Sequence, residues 1–227
     1  YFMNQSFYDF DEYLKQKKVL DYNARKLIEF DEKDFIQLRL INSSQNKVIY
    51  LALHIESFCL VGFKKIDRTN KKIIDRKIHF FTNNIHRCLI KCYGYIKDEY
   101  IFTFVTEFMS NGSIDTYMSD HENEINFFYS FMSMNRIFQS LNYLHSQNII
   151  HRDIKPSNVF VNHNNLPFLS DFDTIRSADP KTEMTNNIGS MLFSSPEQNG
   201  EFKDKCIKIS YTTDIYLFIW HFDLFSL

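Results

Sequence analysis

The spacing of apolar positions changes twice along the chain, and each change marks a different kind of element. Residues 1–34 mix aromatic and charged side chains. A helical rhythm through Leu14, Lys18, Asp21 and Arg25 predicts one helix over 8–27, within an extension that carries no chemistry of its own. From residue 35 onward, short β-branched and aromatic runs predict strands at 35–40, 48–54 and 58–66, separated by polar stretches. A helix at 71–83 follows. Two further strands, 88–96 and 100–108, are joined by the polar turn Lys97-Asp98-Glu99, and Asn111-Gly112 breaks the chain after them. The pattern then turns helical. Residues 113–119 predict a short helix and 127–146 a longer one, with Phe131, Ile137, Phe138, Leu141 and Leu144 at core spacing. Strand-sized pieces at 159–162 and 168–169 precede a helix at 213–225, apolar nearly all round as in a buried helix. A strand-rich part followed by a helix-rich part predicts an α+β fold of two lobes with a ligand cleft between them.

Composition narrows the function classes. At 227 residues and 44% apolar, the chain can bury a sizeable core. A formal charge of −2, with Lys and Arg scattered as in a solvated mixed-charge surface, argues against a nucleic-acid or membrane-surface partner. No apolar run approaches the roughly 20 residues of a membrane span and no leader pattern opens the chain, so a cytoplasmic protein is expected. Cys59, Cys88, Cys92 and Cys206 lack metal-binding or redox spacing and sit among apolar residues, which predicts buried reduced thiols. The first residue is Tyr1 rather than Met, which reads as a fragment.

The strongest chemical signal is His151-Arg152-Asp153-Ile154-Lys155-Pro156-Ser157-Asn158, which follows a predicted helix ending Leu144-His145-Ser146. Thirteen residues after Asn158 comes Asp171-Phe172-Asp173. These segments resemble the catalytic loop H-R-D-x-K-x-x-N and the D-F-G motif of protein kinases. The resemblance implies a kinase-like bilobal fold, with an extension (1–34), a small β-rich N-lobe with its hinge (35–109) and a helical, incomplete C-lobe (110–227). It also implies ATP and Mg²⁺ as cofactors. Asp153 would accept the proton of a substrate hydroxyl and Lys155 would reach the transferred phosphate, this Lys pointing to Ser/Thr substrates. Asn158 and Asp171 would be the Mg²⁺ ligands, both hard oxygen donors. His151 would support the loop from the core, and Asp214 would tie the loop backbone to the C-lobe.

Elsewhere the resemblance is looser. Val61-Gly62-Phe63-Lys64 is similar to the strand whose Lys pairs the ATP phosphates, and it is preferred over Leu51-Ala52-Leu53-His54 because the preceding turn fits only that register. Val105 to Ser113 resembles a hinge, with Thr106 as gatekeeper and the backbone of Glu107 and Met109 facing adenine. Ile49 joins the same ATP-binding set. Gly189-Ser190 and Ser195-Pro196-Glu197 are similar to the end of an activation segment, which assigns Ser190 and Glu197 to it; Ser177, Thr182 and Thr185 are hydroxyls open to phosphorylation.

Three departures count against activity. Asn42, Ser44 and Lys47 replace the glycines that let backbone N–H groups approach phosphates. Lys77 stands where a Glu should pair with Lys64; two such charges about 4 Å apart at an effective dielectric of about 20 would cost about 4 kcal/mol and should swing apart. Asp173 replaces the Gly of D-F-G. Two functions therefore stand open: an active Ser/Thr kinase, or a pseudokinase acting as scaffold or allosteric partner.

Overall fold

The structure, a computed structural model, describes residues 9–17, 26–44, 47–178 and 211–222. The chain divides into two compact units. One comprises residues 1–85 and 90–108, the other residues 86–89 and 109–227.

The first unit is built on a six-stranded sheet with the order β1-β5-β6-β4-β3-β2. Its strands are β1 (Ile28–Glu29), β2 (Phe35–Ser44), β3 (Lys47–His54), β4 (Leu60–Asp67), β5 (Cys92–Lys97) and β6 (Ile101–Glu107). All neighbours pair antiparallel except β1 and β5, which run parallel. Helix α2 (Lys71–Asn83) occupies the predicted span, buries Phe80, and places Ile74 in a cluster with Ile66, Phe102 and Phe104. Of the helix predicted over 8–27, residues 10–16 form α1 (Phe10–Gln16), capped at its start by the Asp9 side chain accepting from the Asp11 amide, while residues 8 and 18–25 lie outside the described residues. Phe10 and Leu14 of α1 enter a cluster with Phe35, Ala52, Val61, Phe63 and Tyr93, so apolar burial fixes which residues are helical. Residues 26–30 leave the helical rhythm altogether. Ile28 lies opposite Gly94, where a Cβ would come 2.0 Å from the Ile28 carbonyl oxygen, and only glycine admits the added strand.

The second unit is mainly helical: α3 (Ile114–Asp120), α4 (Phe127–Ser146) and α5 (Tyr211–Phe222). Two small ribbons accompany them, β8 (Val159–Val161) with β9 (Pro167–Leu169), and β7 (Ile149–Ile150) with β10 (Arg176–Ser177). The predicted strand over 88–96 is cut at its start. Residues 86–89 belong to this unit because the Cys88 carbonyl accepts from the Leu169 amide at 2.9 Å and from the Ser140 hydroxyl at 3.0 Å. Helix α4 has the predicted length but not the predicted face. Ile137, Leu141 and Leu144 are buried together with Ser133 and Ser140, whereas Phe131 and Phe138 are 58% and 51% exposed. Two serines facing inward give α4 close contacts with its neighbours, and the bulkier phenylalanines are turned outward. In α5, Leu217 is buried and Ile219 exposed, so that helix is also one-sided.

Cys59 and Cys88 are buried and Cys92 is partly buried; Cys206 lies outside the described residues. Among the described residues no helix is long and apolar enough to cross a membrane.

Candidate active site

The loop between β7 and β8 is held by one buried carboxylate. Asp214, in the first turn of α5 and fully buried, accepts the backbone N–H of His151 at 2.8 Å and of Arg152 at 2.7 Å. It also contacts His145 Nε2 at 2.9 Å, which links α4 to the same anchor. Arg152 has φ +73°, a left-handed conformation costly for a side chain with a Cβ, and the two Asp214 bonds are what fix the backbone there. The buried His151 ring accepts from the Asp153 amide at Nδ1 (3.4 Å) and donates from Nε2 to the Ser170 carbonyl (3.0 Å), which assigns its proton to Nε2. Its ring meets Phe172 edge-on at 5.6 Å.

This scaffold presents Asp153, Lys155 and Asn158 as one group. Asp153 Oδ2 accepts from Lys155 Nζ at 3.0 Å and from Asn158 Nδ2 at 2.7 Å, and the same amide nitrogen also donates to the Asp153 carbonyl at 2.8 Å. The orientation of the Asp153 carboxylate is therefore set from two sides. With the nitrogen of the Asn158 amide committed to Asp153, its oxygen is the atom left for a cation. The Asn158 carbonyl receives the Ser170 amide at 2.9 Å, which places the 170–173 segment beside the loop. Asp171 has φ +61°, Phe172 is buried, and the Thr174 hydroxyl donates to the His151 carbonyl at 2.7 Å. Thr174 and His145 support the site without having been singled out in the sequence. His145 could have been suspected from its place six residues before His151; Thr174 carries no comparable signal.

Asp171 and Asn158 supply a carboxylate and an amide oxygen, a set that suits Mg²⁺, which keeps several waters and takes few protein ligands. Among the described residues no group of three or more His, Cys, Asp or Glu side chains is arranged to hold a metal, so Asp173 does not complete such a cluster with Asp153 and Asp171. Met109 is buried, and its carbonyl accepts from Gly112 (φ +70°) at 3.3 Å.

In the first unit, Lys64 is half-buried on β4, paired in register with Ile49 on β3 and Phe104 on β6. The rejected alternative, His54, lies in the aromatic core against Phe10, Tyr13 and Phe35. Burial lowers its pKa, and its Nδ1 lies 2.8 Å from the Ser57 hydroxyl. Asn42 is exposed and paired with Ile49; Ser44 and Lys47 are the last pair of the β2–β3 hairpin. Thr106 packs against Gly62, its hydroxyl donating to the Gly62 carbonyl at 3.3 Å. The Glu107 amide donates to the Lys91 carbonyl at 3.0 Å. Burial also raises the pKa of the Glu107 carboxyl, with Asp9 and Asp11 adding to the effect and Lys91 opposing it. Lys77 is 1% exposed, and its Nζ lies over the Phe104 ring, 5.6 Å from the centroid. Glu56, one conceivable substitute for the missing acid, is instead ion-paired with Lys17. Ser177 is exposed at the end of β10, while Thr182, Thr185, Ser190 and Glu197 lie outside the described residues.

The chain matches the protein kinase domain family over residues 37–216. It is 28% identical over 211 residues to the probable serine/threonine-protein kinase samkB of Dictyostelium discoideum, covering 88% of this chain and 33% of that protein. It is 27% identical to the Aurora kinase of Eremothecium gossypii, covering 69% of this chain and 45% of the other, and 32% identical to the Aurora kinase of Saccharomyces cerevisiae, covering 56% and 34%. The chain thus spans a third to under half of the length of these relatives.

Proposed function

This chain belongs to the protein kinase domain family, and we propose that it is a Ser/Thr kinase transferring the γ-phosphate of ATP to protein hydroxyls. The observation that carries the proposal is the Asp153–Lys155–Asn158 group, three polar side chains converging within 3.0 Å on a loop strained at Arg152 and anchored by Asp214. Packing alone does not call for a carboxylate held by both a Lys and an Asn; phosphoryl transfer does, because its catalysis is mostly placement and charge neutralisation. In this reading Asp153 orients the substrate hydroxyl and takes its proton. Lys155 neutralises charge on the transferred group, and Asn158 and Asp171 hold Mg²⁺, which when bound offsets the phosphate charge. Lys64 pairs with the nucleotide phosphates, and the Glu107 carbonyl and Met109 amide meet adenine. Ser/Thr rather than Tyr specificity is supported by Lys155 and by the name of the Dictyostelium discoideum relative, a probable serine/threonine-protein kinase.

One observation favours a second reading. Lys77 fills the position of the expected acidic partner of Lys64 and is buried against Phe104, a placement that suits a fold retained as a scaffold. Transfer of labelled phosphate from ATP to a generic basic protein, with and without Mg²⁺, separates the two. Mg²⁺-dependent incorporation is expected. Nucleotide-induced stabilisation with no incorporation would leave the scaffold reading in its place; at 100 times Kd that stabilisation amounts to about 2.7 kcal/mol.

A further inference from the structure

The N-terminal pieces of the first unit are docked by more than general apolar burial. Helix α1 sets Phe10 against His54, tilted, and against Tyr93, edge-on, each at 4.9 Å between ring centres. Asp11, 4% exposed, accepts from Lys91 Nζ at 2.9 Å and from Lys15 Nζ at 3.2 Å. Lys17 pairs with Glu56 at the turn between β3 and β4. Residues 28–30 add to the edge of β5, where the Phe30 amide donates to the Tyr95 carbonyl at 2.9 Å and Gly94 leaves room for the Ile28 carbonyl. The second end of this arrangement is Lys91. Its side chain holds α1 through Asp11, and its carbonyl holds the amide of Glu107, the last residue of β6. The Glu107 carboxyl Oε2 is buried without a hydrogen-bond partner among the described residues, and α1 brings the carboxylates of Asp9 and Asp11 toward it.

We infer that Asp11 and Lys91 are positioning residues, and that docking of α1 and the conformation of Glu107 are one coupled state. Residues 9–17 and 26–30 then work as a strap across the first unit. When the strap is seated, Lys91 is pinned from its side chain and its carbonyl is fixed for Glu107. When it lifts, Lys91 loses the buried carboxylate and the end of β6 loosens with it. Whatever holds or releases the segment before residue 30 is thereby read out at Glu107. The consequence for nucleotide binding rests on the proposed kinase function; the coupling itself does not.

Native-state amide exchange on the wild-type chain tests the coupling with no substitution. The amides of Tyr13 and Lys17, which report α1, and of Glu107 are expected to open with the same dependence on low concentrations of urea. Exchange at Asp11→Ala and Lys91→Met follows, with Arg68→Met, which removes exposed bonds to the Asp98 and Glu99 carbonyls on the same unit and touches no strap residue, as control. Both strap variants are expected to speed exchange at Glu107 at least tenfold and the control to leave it unchanged. In the same proteins Mg-ATP affinity should fall several-fold in the strap variants, with Asp11→Glu restoring part of the loss. Loss of protection in α1 with Glu107 unaffected would overturn the coupling. Coupled exchange with unchanged nucleotide affinity would overturn its link to the site, and a wild-type chain that binds no nucleotide would sink the kinase reading while leaving the exchange result to judge the strap.

Discussion

Asp214 accepts the backbone N–H of Arg152 at 2.7 Å from sixty-two residues away, and that bond fixes a left-handed residue at the base of the loop between β7 and β8. The same carboxylate serves His151 at 2.8 Å, so one side chain of α5 satisfies two consecutive buried amides. Asp214→Ala leaves both without an acceptor. A buried unsatisfied donor costs about 1–3 kcal/mol, and the expected loss is about 3 kcal/mol in urea unfolding with an unchanged slope. Asp214→Asn, which keeps one acceptor, should lose less. A loss below about 0.5 kcal/mol for the alanine variant would show that the loop is fixed by something else.

Gly62 and Thr106 are matched across β4 and β6. A Cβ at Gly62 would come 2.9 Å from Thr106 Oγ1, and the β-branched side chain has few rotamers to yield with. Gly62→Ala is expected to cost about 1–3 kcal/mol by overpacking. Thr106→Ala in the same chain should recover most of it, a favourable coupling measurable by a double-mutant cycle. Additive effects would place the strain elsewhere.

The buried Glu107 carboxyl titrates above the ordinary glutamate range, chiefly because burial penalises its charged form. A carboxyl whose folded pKa is raised binds its proton more tightly in the folded state. Stability is therefore unaffected by it below the unfolded value of about 4.3, and falls as pH rises from there through the folded pKa. Glu107→Gln should stabilise the protein at pH 7, and the gain should vanish at acid pH. A gain that persists unchanged below pH 4 would contradict the assignment.

His54 and His86 act in the opposite direction at acid pH. Both have lowered pKa values: His54 through burial in the aromatic core, His86 through burial with Arg87 and Arg136 adding to it. A histidine with a depressed folded pKa contributes stability above its unfolded value of about 6.5 and loses it as pH falls through the folded one. Unfolding free energy measured at intervals below pH 6.5 should fall with a slope of up to two protons. In His54→Gln the slope should drop by one.

Strand and helix positions were readable wherever the hydrophobic period ran unbroken. Helices 71–83 and 127–146 keep their predicted limits because each is long and periodic. What the period did not carry was the partner. Phe131 and Phe138 sit at core spacing yet face outward, while the small Ser133 and Ser140 are buried and Ser140 donates to the Cys88 carbonyl. Residues 88–89 read as the start of a strand, but carbonyl and amide partners in the helical unit claim them. At the N-terminus the described helix α1 surrounds the buried Phe10 and Leu14, and residues 18–25 of the predicted span lie outside the described residues. At the candidate site the residue types were legible from the motif. The triple convergence on Asp153 Oδ2 and the role of Thr174 depend on side-chain direction, which spacing does not encode.

The central claim is that Asp153 is the base of a phosphoryl transfer rather than a structural carboxylate. Transfer of labelled γ-phosphate to protein hydroxyls, measured for wild type and Asp153→Asn at matched stability and saturating Mg-ATP, tests it most directly. The account predicts a rate lower by roughly 10²–10⁴-fold in the variant with nucleotide affinity little changed. Equal rates in the two proteins, or no transfer in either, would contradict it.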